Sequence, residues 1–205
     1  MRILITGGGT RVPIDSVRYI GNMSTGRFPA KLVEVFTEKG HNVTYLMAKD
    51  SVWPSWIKGQ CFQYNDYNDY LEQAVALASQ DFDIIISAAA VSDYIVENPV
   101  NGKIQSENEI TIKLVKAKKV LPLIRAAAKD SLLVGFKLLV SPTDEQKSTA
   151  INKVFDNGAD VVIYNDLTEL RNGNSRRFLY SSDKKLNAIT DVNDLIVDWI
   201  VAQRK

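Results

Sequence analysis

One cysteine, Cys61, and one histidine, His41, stand in 205 residues. That scarcity excludes an internal disulfide and a cysteine-rich metal site, and it leaves zinc without a ligand set. A Ser–His or Cys–His nucleophilic pair is equally hard to assemble. His41 directly follows Gly40, the stop of a helical segment, where a cation complements the helix dipole. No apolar run approaches the roughly 18 residues that cross a bilayer, and the chain enters RILITGG without a basic, apolar leader. Charge of one sign is lacking too: 25 Lys and Arg face 24 Asp and Glu, and a net +1 gives no bulk attraction for nucleic acid. Scarce cysteine suits a reducing compartment. The expectation is a cytoplasmic protein with no membrane and no nucleic-acid partner.

What is present suffices for a core. Hydrophobic residues make up 45% of the chain, and at this length a folded chain buries roughly 70% of its unfolded surface. A single domain over 1–205 is predicted. RILIT (2–6) reads as a strand buried on both faces. Phe28, Leu32, Val35 and Phe36 recur at helical spacing over 24–39, before the Gly40 stop. NVTYLM (42–47) and DIIIS (83–87) read as further strands around a helix over 68–80. After a linker at 95–102 come a strand over 109–115, a helix over 118–130 and a strand over 132–140. A helix over 143–157, a strand over 160–166, a hairpin pair (176–183 and 184–190) and a helix over 192–203 follow. Segments 95–108 and 168–176 read as surface loops.

This alternation predicts an α/β fold: a doubly wound, Rossmann-like, largely parallel sheet with a small C-terminal β-hairpin extension. Ligands of such sheets gather outside the carboxyl ends of the strands. There TGGGT (6–10) offers glycines that let backbone N–H groups approach an anion, a tight turn being the alternative. The next helix starts only near Ser24, so G-x-G-x-x-G geometry does not form. Ser24 or Thr25 can cap that helix, and Pro29 fixes its start near residue 25 or 26, since proline is tolerated only in a first turn. Arg18 and Asn22 then lie in the loop facing the proposed anion. In SAAAVSDY (87–94) small residues let a flat group lie against backbone and Asp93 adds an acceptor, with efficient packing as the alternative. Lys103, in NGKIQS, reads on spacing alone as solvated surface. Tyr45 and Lys49 have the Y-x-x-x-K spacing of short-chain dehydrogenases, but on a strand, and are not read as a catalytic pair.

Taken together, ILITGGGTRVPIDSVRYIGNMSTG, SAAAVSDY, GKIQS, ITIKLVKAKKVL, VGFKLLV and ADVVIYNDL resemble the phosphopantothenate–cysteine ligase (phosphopantothenoylcysteine synthetase) family in order and spacing across nearly the whole chain. Beginning at the synthetase strand, the chain resembles the stand-alone bacterial form. The resemblance implies a dimeric ligase of coenzyme A biosynthesis that joins 4'-phosphopantothenate to L-cysteine through an acyl-nucleotide. CTP with Mg²⁺ is the expected co-substrate. Carried over by motif, Asn22 would hold the carboxylate and the acyl-nucleotide, while Arg18, Ala89 and Ala90 would line the substrate pocket. Lys103 would support acyl-nucleotide formation. Gly8, Gly9, Ser24, Thr25, Gly26, Ser87, Ala88, Ala89, Asp93, Phe136 and Lys153 would join Lys103 at the nucleotide.

Positions that depart from the family pattern are Pro29, Gln105 and Ser106, Ala117 to Lys119, Asn157 and Tyr164. They leave CTP against ATP open. A nucleotide-binding relative without turnover and an NAD(P)-dependent reductase remain as alternatives.

Overall fold

The computed structural model describes residues 1–107, 109–173, 177–181 and 194–204. The chain opens with strand β1 (Arg2–Gly7), the short hairpin of β2 (Arg11–Pro13) and β3 (Tyr19–Gly21), helix α1 (Arg27–Glu38), β4 (Asn42–Ala48) and β5 (Gly59–Tyr64). Helix α2 (Tyr67–Ala78), β6 (Ile84–Ser87) and a ribbon of β7 (Tyr94–Val96) and β8 (Leu114–Lys116) follow. Then come α3 (Val120–Ala127), β9 (Leu132–Leu139), α4 (Asp144–Asp156), β10 (Val161–Asp166), α5 (Leu167–Arg171), β11 (Arg177–Ser181) and α6 (Asp194–Gln203).

Among the described residues the main sheet has seven strands in the order β11-β10-β9-β6-β1-β4-β5. Neighbours are parallel except β10 and β11. From β1 the chain steps outward through β4 to β5, then returns to β6 on the other side. The strand order therefore reverses between β1 and β6, which opens a crevice beyond their carboxyl ends.

Alternation along each strand builds two core layers. Ile3, Ile5 and Tyr45 face α1 and α6, where Leu32, Phe36, Ile196 and Ile200 are fully buried. Leu4, Leu46 and Ile85 face α2 and α3, against Tyr70, Ala74 and Ile124. Each such side chain contributes about 1.5–3 kcal/mol of apolar burial. Helix α4 starts on a full capping box between Thr143 and Gln146. Arg125, on α3, fastens the opposite end of the sheet: its guanidinium donates to the carbonyls of Ala128, Lys129, Ser131 and Gly158 and pairs with Asp160.

Several expectations are corrected. GQCFQY, unassigned from the sequence, forms edge strand β5; only Tyr64 in it is buried, so no apolar run marked it. The strand expected over 109–115 pairs only at 114–116, with β7 running from Tyr94 into the start of the expected linker. Ile110, Thr111 and Ile112 instead line a cleft of about 410 Å³ with Ile14, Val96 and Ile104. Part of the loop expected at 168–176 is α5, capped by the Asp166 carboxylate on Thr168 N–H. The second hairpin strand, 184–190, lies outside the described residues. Among those described, no helix is long and apolar enough to cross a membrane.

Candidate active site

At the strand ends flanking the crevice, one carbonyl gathers three segments. Gly9 and Ala90 form a parallel bridge between the loops that leave β1 and β6. Ala90 N–H donates to Gly8 O at 2.7 Å, and Ala90 O accepts Thr10 N–H at 3.1 Å. The same oxygen accepts the Asn22 amide Nδ2 at 2.7 Å, so the residue leaving β3 is fixed over the β6 loop. Two fully buried threonines brace this floor: Thr6 Oγ1 accepts Ala89 N–H at 3.3 Å and Thr10 Oγ1 accepts Ser92 N–H at 2.9 Å. Thr6 Oγ1 also meets the Tyr70 hydroxyl at 3.1 Å. Burial raises the Tyr70 pKa, and hydrogen bonds to Thr6 and Ser87 oppose that rise. Gly9 has no alternative here, because a Cβ on it would stand 2.7 Å from Asn22 O.

Asp15 ties the turn between β2 and β3 to the segment that carries Lys103. This carboxylate, in a residue 5% exposed, accepts N–H from Val17 at 2.9 Å, Arg18 at 2.7 Å and Ile104 at 3.1 Å. Arg18 Nη1 lies 3.0 Å from it, while Arg18 Nη2 donates to Ile104 O at 3.0 Å. Ser16 closes the seam through Gly102: Ser16 N–H reaches Gly102 O at 3.0 Å, and Gly102 N–H reaches Ser16 Oγ at 2.9 Å. Desolvation pushes the Asp15 carboxyl up, but its backbone donors and Arg18 outweigh that and leave it below the usual carboxylate value. Lys103 sits between the two anchored residues, Gly102 and Ile104, with its side chain exposed. Sequence reasoning gave Asp15 no role; a lone acid inside the V-P-I-D-S-V segment was the available signal.

The start of α1 forms the third wall. Its cap is Gly26, at φ 72° and without a side-chain bond, rather than Ser24 or Thr25. The glycine is required because the cap is left-handed and a Cβ would come within 2.9 Å of Ser51. Thr25 Oγ1 accepts Arg27 N–H at a long 3.4 Å. Pro29 fits as the third helical residue, as its first-turn placement predicts, and its ring fills the space beside Gly7. Phe28 meets Phe136, from β9, edge to face at 5.4 Å, and the Arg177 guanidinium lies 4.2 Å from the Phe28 ring centre.

The structure thus brings together Gly8, Gly9, Asn22, Ala88, Ala89 and Ala90. Ser24, Thr25 and Gly26 join them through the Asn22 turn, where Ser24 N–H donates to Asn22 O at 2.9 Å. Asp93 is on the loop after β6 but is ion-paired with Lys119, one of the positions that depart from the family pattern. Lys153 is not brought to this group. It is exposed in the last turn of α4, whose end adjoins the amino ends of β9 and β10, and its carbonyl accepts the Asn157 amide at 2.6 Å. Tyr164 packs on Phe178, and its hydroxyl pKa is pushed up to about 12, by burial and then by nearby carboxylates, Asp166 foremost. Tyr45 is fully buried beside Gly7 and burial pushes its hydroxyl pKa up, so it forms no dehydrogenase pair with Lys49.

Residues 1–200 match the family model described as the DNA/pantothenate metabolism flavoprotein C-terminal domain. The chain belongs to that family. It is 36% identical over 169 residues, 82% of its length, to the coenzyme A biosynthesis bifunctional protein CoaBC of Methanocaldococcus jannaschii, of which it covers 41%. The Escherichia coli K12 protein of the same name is 31% identical over 182 residues, covering 84% of this chain and 43% of that one. The chain therefore spans less than half the length of these curated relatives. Among solved structures, a DNA/pantothenate metabolism flavoprotein from Streptococcus pneumoniae superposes with TM-score 0.88 at 28% identity, over 99% of both chains. A Cab2 H337A complex with phosphopantothenate-cysteine shares the fold, with TM-score 0.81 at 21% identity over 99% of this chain and 86% of that one.

Proposed function

We propose that this domain joins 4'-phosphopantothenate to L-cysteine, using a nucleoside triphosphate, CTP by preference, to activate the acid. The observation that carries the reading is the Asn22 amide held 2.7 Å from Ala90 O over a floor of small residues. A carboxylate oxygen would attack the α-phosphorus and expel pyrophosphate. The cysteine amine would then attack the acyl carbon, releasing the nucleoside monophosphate and a proton. Neither step needs a protein nucleophile; both need positioning and charge compensation. Asn22 would hold the acyl group, Arg18 the anionic substrate, and Lys103 the charge that builds at the reacting phosphate. The membership of the chain in this family and the names of its relatives support the ligase reading.

Mg²⁺ belongs to the proposal as a companion of the triphosphate, whose charge it offsets when bound. Among the described residues no group of three or more His, Cys, Asp or Glu could hold a metal, and Asp93 is engaged by Lys119. A homodimer is also proposed. The test is incubation with 4'-phosphopantothenate, cysteine, Mg²⁺ and each nucleotide in turn. Phosphopantothenoylcysteine formed with matching pyrophosphate supports the ligase. Tight nucleotide binding with neither product would identify a non-catalytic relative instead.

A further inference from the structure

Ser51 lies in the turn after β4 and is 7% exposed, yet its Oγ has no hydrogen-bond partner among the described residues. A buried hydroxyl left unpaired is unfavourable, so its surroundings matter. An ideal Cβ on Gly8 would stand 2.0 Å from this oxygen, and one on Gly26 3.0 Å. The hydroxyl therefore occupies the notch between two left-handed glycines, at φ 86° and 72°, where the end of β1 meets the first turn of α1. Ser51 N–H donates to Ala48 O at 2.9 Å and Val52 N–H to Thr25 O at 2.9 Å, which locks the turn against the helix start.

That helix start suits an anion but is short of donors. Its first turn contains no acidic residue, and the positive end of a 12-residue helix faces the notch. Phe28 brings a backbone N–H, that of Arg27 is shared with Thr25 Oγ1, and Pro29, the third helical residue, brings none. The Ser51 hydroxyl stands at the foot of that turn, 3.0 Å from where a Cβ on the cap residue Gly26 would lie. It can rotate toward a ligand, and being neutral it carries no charge to desolvate.

We propose that Ser51 is a binding residue of this site, its hydroxyl donating to a phosphate oxygen seated at the start of α1. The proposal rests on the phosphate-handling function argued above. The shared chemistry is a phosphate oxygen, which either the triphosphate or the phosphate monoester of phosphopantothenate can provide.

Calorimetric titration of the wild type and Ser51→Ala with CTP, inorganic triphosphate and 4'-phosphopantothenate separates the sources. The variant should bind one class, triphosphates or the monoester, about tenfold or more weakly and leave the other unchanged. The melting temperature of the unliganded variant should be unchanged or higher, since alanine removes an unpaired hydroxyl without opening a cavity. Wild-type affinity of Ser51→Ala for all three ligands would overturn the role of Ser51 while leaving the ligase intact. A lowered melting temperature with equal losses for all three would reduce Ser51 to packing and overturn it likewise. If the wild type binds none of the three, the functional reading itself fails and Ser51 with it.

Discussion

The carboxylate of Asp15 and the backbone N–H of Ile104 meet at 3.1 Å across 89 residues of chain. This bond and the Arg18 contacts fix the Lys103 loop to the turn between β2 and β3. Asp15→Ala should therefore lower kcat/KM for acyl-nucleotide formation and speed hydrogen exchange at Ile104, with the buried sheet amides still protected. The folded pKa of Asp15 is depressed, so its contribution is present above the unfolded value and is lost as pH falls through the folded one. The clamp should hold through neutral pH and open only in acid, below the usual carboxylate range. Exchange at Ile104 followed against pH checks this; release already at about pH 6 would contradict it.

Replacing Asn22 with Asp places a negative charge beside anionic reactants and puts an acceptor opposite the Ala90 carbonyl. The cysteine-dependent step should slow by roughly 10²-fold or more, as when a preorganised donor to the reacting centre is removed. Pyrophosphate release before cysteine is added should suffer less. Single-turnover traces of both products measure the two steps separately, and equal slowing would count against Asn22 as the acyl-group holder.

Lys103→Gln should abolish the early pyrophosphate burst, by roughly 10²-fold. The side chain is exposed, so the melting temperature should move little. An unchanged burst would sink the role given to Lys103.

Gly8→Ala should cost about 1–3 kcal/mol in urea denaturation, from overpacking at a left-handed position. The added Cβ would come 2.6 Å from Ala48 Cβ as well as against Ser51. Stability equal to wild type would show that the notch yields.

The sheet was legible where strands are apolar on both faces, as at Ile3 to Ile5 and Ile84 to Ile86. It was not legible at β5, because an edge strand buries few side chains and the polar Gln60 and Gln63 leave no apolar run to assign. Crevice residues announced themselves through glycines and small residues at strand ends, which is how Gly8, Gly9 and Ala88 to Ala90 were found. Asp15 gave no such signal, since its burial depends on an amide that only the folded chain brings near. Sequence favours the hydroxyls of Ser24 or Thr25 at the cap, whereas the fold needs the left-handed turn that Gly26 provides. Lys153 matched a motif, but α4 carries it to the far end of the strands.

Arg125 has a consequence for how the far half of the sheet opens. Its guanidinium holds carbonyls from both the turn before β9 and the turn before β10, together with Asp160, which itself accepts Leu133 N–H at 2.8 Å. Neither turn can fray without stripping acceptors from the same side chain. Amides at 128–133 and 158–160 are thus coupled into one opening event rather than two. A protease seeking a nick in either turn would have to wait for both.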